Sequence, residues 1–302
     1  MAMYKISRRS FLAGATLFVA AKGRGSATGT PDLTFLVLGD WGTGAAEPRK
    51  VAVQMAKAAT ALGADFVIST GDNFYPDGVS SVNDPQWRTS FESIFPEPAL
   101  QIPWYVVLGN HDHRGSTEAQ VSYGDVSARW NLPANYYKLT QRLPDGSLVD
   151  FFFLDTNPIH RRYRSWIPRL FDDNQLVWLE RELTASKARW KIAIGHHAVF
   201  SGGKHGAKSM VKALKPLFDE YGVRAYINGH NHTLEHVVVG ETHYLTCGAG
   251  AKPREASPVS GSRFTMGERL GFMTARLKPD AMHVAFLDEQ GQFLYEATIL
   301  SI

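Results

Sequence analysis

The sequence predicts an α/β domain with a largely parallel core, arranged as two packed mixed β-sheets flanked by helices. Apolar strand-like runs alternate with amphipathic helical segments from Leu33 onward, the pattern typical of parallel strands joined by helical crossovers. Many of these strands end in a glycine followed by a polar residue. The C-terminal part alternates in strand fashion, and two packed sheets accommodate all of the predicted strands.

The first half of the chain is predicted to contain five strands and two helices. Apolar runs that end at glycine indicate the strands, and apolar residues at helical spacing indicate the helices. The turn Pro144-Asp145-Gly146 joins the last two strands as a hairpin. The strands are TFLVLGDWG, DFVISTGDN, WYVVLGNHD, NYYKLTQRL and SLVDFFFLD, and the helices span residues 51–62 and 83–95.

The second half continues the alternation and then becomes rich in strands. It contains no internal repeat, low-complexity tract or long linker, so we expect a single domain over residues 31–302. The predicted helices are 175–188 and 210–221, and the strands are WKIAIGHHAVF, VRAYINGHNH, THYLTCGAG, GFMTARL, MHVAFL and FLYEATIL.

Composition excludes several protein classes. A chain of 302 residues with 44% hydrophobic and 20% charged residues is neither disordered nor collagen-like nor an integral membrane protein. Its one cysteine, Cys247, cannot form an internal disulfide or a cysteine-rich metal cluster. Any metal must therefore be held by histidine, carboxylate, amide or phenolate groups.

The net charge of +3 originates in the N-terminal segment. Residues 1–30 contain five basic residues and no acidic one, so removing them leaves 27 basic (32 − 5) against 29 acidic residues, a net charge of −2. A basic surface for nucleic acid is therefore not expected.

Residues 1–30 have the order of an export signal: a basic start, an apolar stretch and then small polar residues. The apolar stretch, 11–21, is shorter than the roughly 20 residues that span a bilayer, so no stable membrane anchor is expected. The pair Arg8-Arg9 followed by Ser-Phe-Leu resembles a bacterial twin-arginine signal. That resemblance implies the twin-arginine export machinery as a partner and a periplasmic or secreted location.

Five predicted strands end with a glycine followed at once by a residue that can ligate a metal. Because ligand sites gather at the carboxyl ends of parallel strands, we expect these turns to converge on one crevice. A single such residue would more often be a helix cap, but five in series favour a metal site. They are Asp40, Asp72, Asn110, His196 and His230.

The types of residue restrict the metal. A mixed set of oxygen and nitrogen donors suits iron, zinc or manganese better than the oxygen cages of calcium or magnesium. The candidates exceed the needs of one ion, which favours two ions bridged by a carboxylate. Two such ions stabilise both oxygens of an in-line displacement, and phosphate esters are the natural substrates of that chemistry.

The ordered series GDxG, GDNxY, GNHD, GHH and GHxH resembles the metallophosphoesterase superfamily. It is most similar to the small, mammalian-type, tartrate-resistant-like purple acid phosphatases, over about residues 35–247. Two details indicate this branch: Asp40-Trp41-Gly42 lacks the histidine of many relatives, and Tyr75 stands three residues after Asp72. The resemblance implies a four-layer α/β/β/α fold for a single catalytic domain.

The resemblance also implies the ligands. A ferric ion would be held by four residues, one of which bridges to a divalent ion, iron, zinc or manganese. A trivalent ion acidifies bound water strongly, which gives hydroxide at low pH. The ferric ligands are Asp40, Asp72, Tyr75 and His232, with Asp72 bridging, and the divalent ligands are Asn110, His196 and His230.

Further residues match the substrate side of the family site. His111 is expected to protonate the leaving oxygen, with Asp112 orienting its ring, and His205 matches a second histidine of the substrate pocket. His197 stands where mammalian relatives commonly have tyrosine, which leaves phosphate contact, support of a ligand and packing open. The remaining histidines are expected to be ordinary surface or sheet residues.

These expectations describe a monomeric, exported acid phosphatase that hydrolyses phosphate monoesters by in-line attack of metal-bound hydroxide. A phosphodiesterase or nucleotide phosphatase on the same site is the alternative, because motifs specify metals better than the mouth of a pocket. A non-enzymatic protein that binds metal or a phosphorylated ligand is disfavoured, since no ligand position and no His111 is lost.

Overall fold

The structure, a computed structural model, describes residues 15–18, 32–164, 174–205 and 208–301. These residues form two mixed β-sheets of eight and seven strands. The strands are β1 (Ala15–Phe18), β2 (Leu33–Leu38), β3 (Phe66–Ser69), β4 (Trp104–Val106), β5 (Trp130–Asn131), β6 (Tyr137–Arg142), β7 (Leu148–Phe153), β8 (Trp190–Ile194), β9 (Ala225–Asn228), β10 (Leu234–Val239), β11 (Thr242–Cys247), β12 (Ser262–Met266), β13 (Gly271–Leu277), β14 (Ala281–Asp288) and β15 (Phe293–Leu300).

Both sheets are mixed, as the sequence predicts. The seven-stranded sheet has the order β15-β14-β13-β2-β3-β4-β5, in which β2 to β5 are parallel and β13 to β15 antiparallel. The eight-stranded sheet has the order β1-β6-β7-β8-β9-β11-β10-β12, with β7, β8, β9 and β11 parallel. The parallel strands β2, β3, β4, β8 and β9 therefore lie inside the sheets, where their carboxyl ends can form a site.

Helices cover the outer faces and complete four layers. The helix α1 (Ala46–Leu62) packs on β2 and β13 of the seven-stranded sheet. On the other side, Trp178 and Leu179 pack with Phe152 of β7 in a separate apolar cluster. The helices are α1 (Ala46–Leu62), α2 (Thr117–Ser122), α3 (Thr156–Arg164), α4 (Asn174–Ala185) and α5 (Lys208–Tyr221).

Aromatic side chains fill the space between the sheets. The ring of Phe35 stacks on that of Phe66 at 5.2 Å between centroids, within the seven-stranded sheet. Phe151 of the facing sheet meets both rings edge-on, at 5.7 and 5.8 Å. All three side chains are buried. These ring contacts fix the position of one sheet relative to the other, and therefore the relative positions of the two sets of strand ends.

The predicted helix over 83–95 is wrong in length and type. The chain forms only a six-residue π-helical turn, Trp87–Glu92. Before it, Asp84 accepts hydrogen bonds from Ser80 and Gln86 and closes a turn. Within it, Phe91 packs edge-on against aromatic rings from distant strands. Tertiary packing thus overrides the local helical spacing.

The N-terminal segment lies mostly outside the described residues. Its described part, β1, pairs in parallel with β6 and forms an edge of the eight-stranded sheet. Residues 1–14 and 19–31, which include the paired arginines, are not among the described residues. In the part of the chain that the structure describes, none of the helices has the length and apolar character needed to cross a membrane.

One buried hydroxyl joins the two sheets. The Tyr137 hydroxyl of β6 accepts a hydrogen bond from the Val106 N–H of β4 at 3.0 Å and lies 3.1 Å from the Asn131 carbonyl.

We expect Tyr137→Phe to lower the free energy of unfolding by about 1–3 kcal/mol, because buried backbone groups lose their partner. Chemical denaturation measures this loss. Tyr221→Phe, whose hydroxyl lies on the surface, is the control, and an equal loss in both variants would contradict the role of the hydroxyl.

Candidate metal centre

Polar turns from both sheets meet at one place. Three follow strands of the seven-stranded sheet and two follow strands of the eight-stranded sheet. Backbone bonds join neighbouring turns: the Gly229 N–H donates to the His196 carbonyl at 3.1 Å, and the Asp40 N–H donates to the Gly71 carbonyl at 3.0 Å. The residues carried are Asp40 after β2, Asp72 after β3, Asn110 after β4, His196 after β8 and His230 after β9.

A first group of donors surrounds the Tyr75 hydroxyl. It lies 2.8 Å from Asp72 Oδ2 and 3.2 Å from Asp40 Oδ1. His232 Nε2 completes the group, 3.3 Å from the Tyr75 hydroxyl and 3.3 Å from Asp40 Oδ1. Three oxygens and one imidazole nitrogen thus lie close together and face one another.

A second group surrounds His196 Nε2. The Asn110 side-chain oxygen lies 3.2 Å away, and His230 Nδ1 lies 3.1 Å away. Asp72 Oδ1, the other oxygen of that carboxylate, is 3.5 Å from the same nitrogen. Asp72 therefore faces the first group with one oxygen and the second group with the other.

The backbone is strained where these side chains leave it. Asp40, Asp72, His230 and His232 all have positive φ, of 57°, 52°, 72° and 55°. Residues other than glycine adopt this region at a cost of about 1–3 kcal/mol each, and they do so mainly at functional sites. Position 229 requires glycine, because a Cβ there would lie 2.4 Å from Asp40 Oδ2.

Hydrogen bonds behind the histidines orient their rings. His196 Nδ1 is 2.9 Å from the Thr70 carbonyl, and His232 Nδ1 is 2.7 Å from the Lys252 carbonyl. A carbonyl only accepts, so each Nδ1 carries the proton and each Nε2 directs a lone pair at the donor group. This is the arrangement of metal-ligating histidines.

The electrostatics of the protein alone favour a cation at this place. Burial and then the charge of Asp72 raise the pKa of Asp40 well above its usual range. Burial lowers the pKa of His230, and burial and then Arg254 lower the pKa of His232 to about 4. Crowded carboxylates beside neutral imidazoles are stabilised by a bound cation. Asp40, Asp72 and His196 offer ligand atoms that all lie within 4.8 Å of one another.

His111 lies beside the first group and is partly exposed. Its Nε2 is 4.0 Å from Asp72 Oδ2, and its ring centroid is 4.4 Å from that of Tyr75. Its Nδ1 is 2.5 Å from the Pro76 carbonyl, which orients the ring.

The expectation that Asp112 orients the His111 ring is wrong. Asp112 is fully buried, and its oxygens accept hydrogen bonds from Gly109 N–H at 2.7 Å and Gln120 Nε2 at 3.0 Å. Both the backbone and side-chain nitrogens of Asn73 also donate to it. Burial and then the Asp72 charge raise the pKa of Asp112 to about 7. Asp112 therefore joins the turns after β3 and β4, and the Pro76 carbonyl takes the place expected for it.

His205 and His197 both lie beside His230. The His205 ring centroid is 4.9 Å away, at the exposed rim. His197 is buried behind His230, with ring centroids 4.5 Å apart, and its Nδ1 is 2.9 Å from Thr156 Oγ1. Of the three interpretations open for His197, this burial favours support of a ligand.

Sequence reasoning missed several residues around the donors. His160, expected to be ordinary, stacks on His197 at 4.5 Å, and His113 lies 2.9 Å from the buried carboxylate of Asp155. Arg254 reaches the rim from a loop with no recognisable motif. Of these residues, only Asn73 could have been recognised in the sequence, because it is the third residue of the GDN motif.

Comparison with known proteins agrees with this geometry. The family model of the calcineurin-like phosphoesterases matches residues 33–234. Purple acid phosphatase 7 of Arabidopsis thaliana is 37% identical over 287 residues, which cover 88% of this chain and 86% of the relative. Human tartrate-resistant acid phosphatase type 5 is 34% identical over 300 residues, covering 89% and 91%. This chain belongs to the purple acid phosphatase family.

A solved structure shows the same fold. GAP50, the anchor in the inner membrane complex of Plasmodium, superposes with a TM-score of 0.83 at 24% identity and covers 90% of each chain. Membership of the family confirms the resemblance found in the sequence. The chain is a metal-dependent phosphomonoester hydrolase of the acid phosphatase type.

Proposed function

We propose that the protein is an exported, monomeric acid phosphatase that hydrolyses phosphate monoesters at a dinuclear centre of iron(III) and a divalent iron, zinc or manganese ion. The observation that supports this most directly is the position of Asp72. Its two oxygens face separate donor groups, 2.8 Å from the Tyr75 hydroxyl and 3.5 Å from His196 Nε2. A carboxylate so placed is suited to bridge two ions.

The chemistry of each donor group suits a different ion. The first group contains the carboxylates of Asp40 and Asp72 and the phenol of Tyr75, and such hard anionic donors stabilise a trivalent ion. Burial and the two carboxylates raise the pKa of the Tyr75 hydroxyl, so its proton leaves only when a cation replaces it. The second group, Asn110, His196 and His230 with the shared Asp72, is mostly neutral and suits a divalent ion.

The bound ions would supply Lewis acidity, which lowers the pKa of the attacking water and offsets the charge of the phosphate. The chain's own residues hold the substrate in place and move protons. The Asp72 oxygens are restrained because the His111 N–H donates to Oδ1 at 2.9 Å. The backbone thus maintains the separation of the two donor groups.

His111 is placed to give a proton to the leaving oxygen. The Pro76 carbonyl accepts from Nδ1, so Nδ1 is always protonated and Nε2 carries a proton only in the imidazolium form. Nε2 is the nitrogen on the side of Asp72, 4.0 Å from its Oδ2, so it is the one that faces the donor groups. A general acid at this position fits a phosphatase that works at low pH.

The N-terminal segment supports export in the folded state. The twin-arginine route carries folded proteins, and a protein whose metals are inserted before export would need it. The paired Arg8 and Arg9 and the short apolar stretch 11–21 fit this route and a periplasmic or secreted location.

We expect Tyr75→Phe to abolish the visible absorbance of the metal-loaded protein, because only charge transfer from phenolate to iron(III) should produce it. The absorption spectrum of purified protein, with its metal content, tests this. Tyr105→Phe, which removes a hydroxyl from β4, is the control and should keep the band. An unchanged spectrum in Tyr75→Phe would remove Tyr75 from the ligands.

We expect His111→Ala to lower kcat by about 10²- to 10⁴-fold on glycerol phosphate, whose alkoxide needs a proton, and much less on p-nitrophenyl phosphate. Metal content should stay the same. His113→Ala is the matched control, because His113 pairs with Asp155 and should affect both esters alike. Equal losses on the two esters for His111→Ala would show that it positions the phosphate instead of donating the proton.

We expect the double substitution of Arg8 and Arg9 by lysine to retain active, full-length enzyme in the cytoplasm. Phosphatase activity in separated periplasmic and cytoplasmic fractions measures this. The control is the double variant Lys22→Arg and Arg24→Lys, which keeps the charge of the N-terminal segment and should leave export normal. Normal delivery of the lysine pair would indicate an ordinary secretory signal.

A further inference from the structure

A fully buried carboxylate lies next to the loop that carries His205. It belongs to Glu235 of β10, which is 0% exposed. The Ser201 hydroxyl donates a hydrogen bond to Glu235 Oε1 at 2.5 Å, and the Gly202 N–H donates one to Oε2 at 2.6 Å. A buried carboxylate is costly unless its oxygens are hydrogen-bonded, so these contacts attach the loop 201–205 firmly to β10.

A chain of hydrogen bonds continues from Glu235 to His205. Ser201 Oγ, which donates to Glu235, accepts a hydrogen bond from Asn231 Nδ2 at 2.6 Å. Asn231 Oδ1 in turn accepts a hydrogen bond from the His205 N–H at 3.1 Å. Asn231 is itself buried and is the middle residue of the GHxH motif. The chain therefore sets the position of His205 relative to the histidines of that motif.

The other side of the loop rests on the segment between β11 and β12. The Ser257 N–H donates a hydrogen bond to the Gly202 carbonyl at 3.1 Å. At the end of the loop, Arg254 Nη1 lies 3.1 Å from His205 Nε2. These contacts do not involve Glu235, so we expect the loop to stay folded but to shift when the carboxylate is changed.

The hydrogen bonds at position 235 require a carboxylate. Ser201 Oγ accepts from the Gly203 N–H at 3.0 Å and from the amide of Asn231, so both of its lone pairs are used and its proton must go to Glu235. A glutamine side chain would direct its NH₂ group at the Ser201 hydroxyl in one orientation and at the Gly202 N–H in the other. In either orientation two donors face each other.

We propose that Glu235 is a positioning residue, which holds the loop 201–205 so that His205 contacts the phosphate group of the substrate. This inference rests on the phosphatase function proposed above. The ring centroid of His205 lies 4.9 Å from that of His230, so a correctly placed His205 borders the second donor group. Its backbone N–H is held by Asn231, so a shift of the loop moves His205 away from the substrate.

We expect Glu235→Gln to raise KM for p-nitrophenyl phosphate about tenfold and to leave kcat nearly unchanged, because a misplaced His205 weakens binding in the ground state and the transition state alike. Metal content should stay the same. The dissociation constant of orthophosphate, measured by calorimetry on the metal-loaded protein, should rise by the same factor.

A double-mutant cycle tests whether Glu235 acts through His205. In the His205→Ala background, Glu235→Gln should change KM by less than about twofold. Independent effects that multiply, or loss of metal from Glu235→Gln, would overturn the proposal. Ser201→Ala breaks the same chain at a half-buried position and provides the test if Glu235→Gln does not fold. It should also raise KM, and an unchanged KM in Ser201→Ala would overturn the proposal as well.

Asp150 of β7 offers a matched control. It is buried and accepts hydrogen bonds from the hydroxyls of Thr140 and Ser186, both at 2.6 Å. It pairs with Lys191 near the start of β8, at the end of the sheet opposite the site. Asp150→Asn should leave KM and the dissociation constant of orthophosphate unchanged, and a rise equal to that of Glu235→Gln would overturn the proposal.

A separate result would overturn the phosphatase function, namely failure of the native, metal-loaded enzyme to hydrolyse p-nitrophenyl phosphate. The measurement of orthophosphate binding does not depend on turnover. It would therefore still decide whether Glu235 positions His205 for a phosphate group.

Discussion

The carboxylate of Asp72 reaches two donor groups at once, and the rest of the site depends on this. The residue has a φ of 52°, and this backbone conformation directs one oxygen to Tyr75 and the other to His196. Its neighbour in space is Gly109, where a Cβ would lie 2.2 Å from Asp72 Oδ1. Only a glycine lets the turn after β4 approach so closely. The strain is therefore concentrated at the residue whose carboxylate faces both donor groups.

Buried hydrogen bonds beneath the site hold the strained turns in place. Asp112 accepts hydrogen bonds from both nitrogens of Asn73, and Asn73 Oδ1 accepts one from Ser69 at 2.6 Å. Ser69 in turn accepts a bond from the indole of Trp41, which packs among aromatic rings of the core. A buried network of this kind is rigid only when every member is satisfied. A chain of hydrogen bonds thus connects the turns that carry the donor groups to the aromatic core.

Charge changes in character from the inside of the site to its rim. In the interior, burial raises the pKa of Asp40 and lowers the pKa of His230, and both shifts favour the neutral form of the group. The rim contains His205, whose pKa is lowered by burial and then by Arg254, and the guanidinium of Arg254, 3.1 Å from His205 Nε2. The interior therefore favours cations, and the rim favours an anion. A phosphorylated substrate carries the negative charge that this rim favours.

Local sequence determined the alternation of strands and helices, the hairpin at Pro144-Asp145-Gly146 and the glycine-polar turns that carry the donors, because each is a property of neighbouring residues. The motifs also indicated the family. Tertiary structure alone decided that residues 83–95 form only a π-helical turn, that Pro76 and not Asp112 orients His111, and that Arg254 reaches His205. These features depend on contacts between residues distant in the chain, and no local pattern records which distant groups will meet.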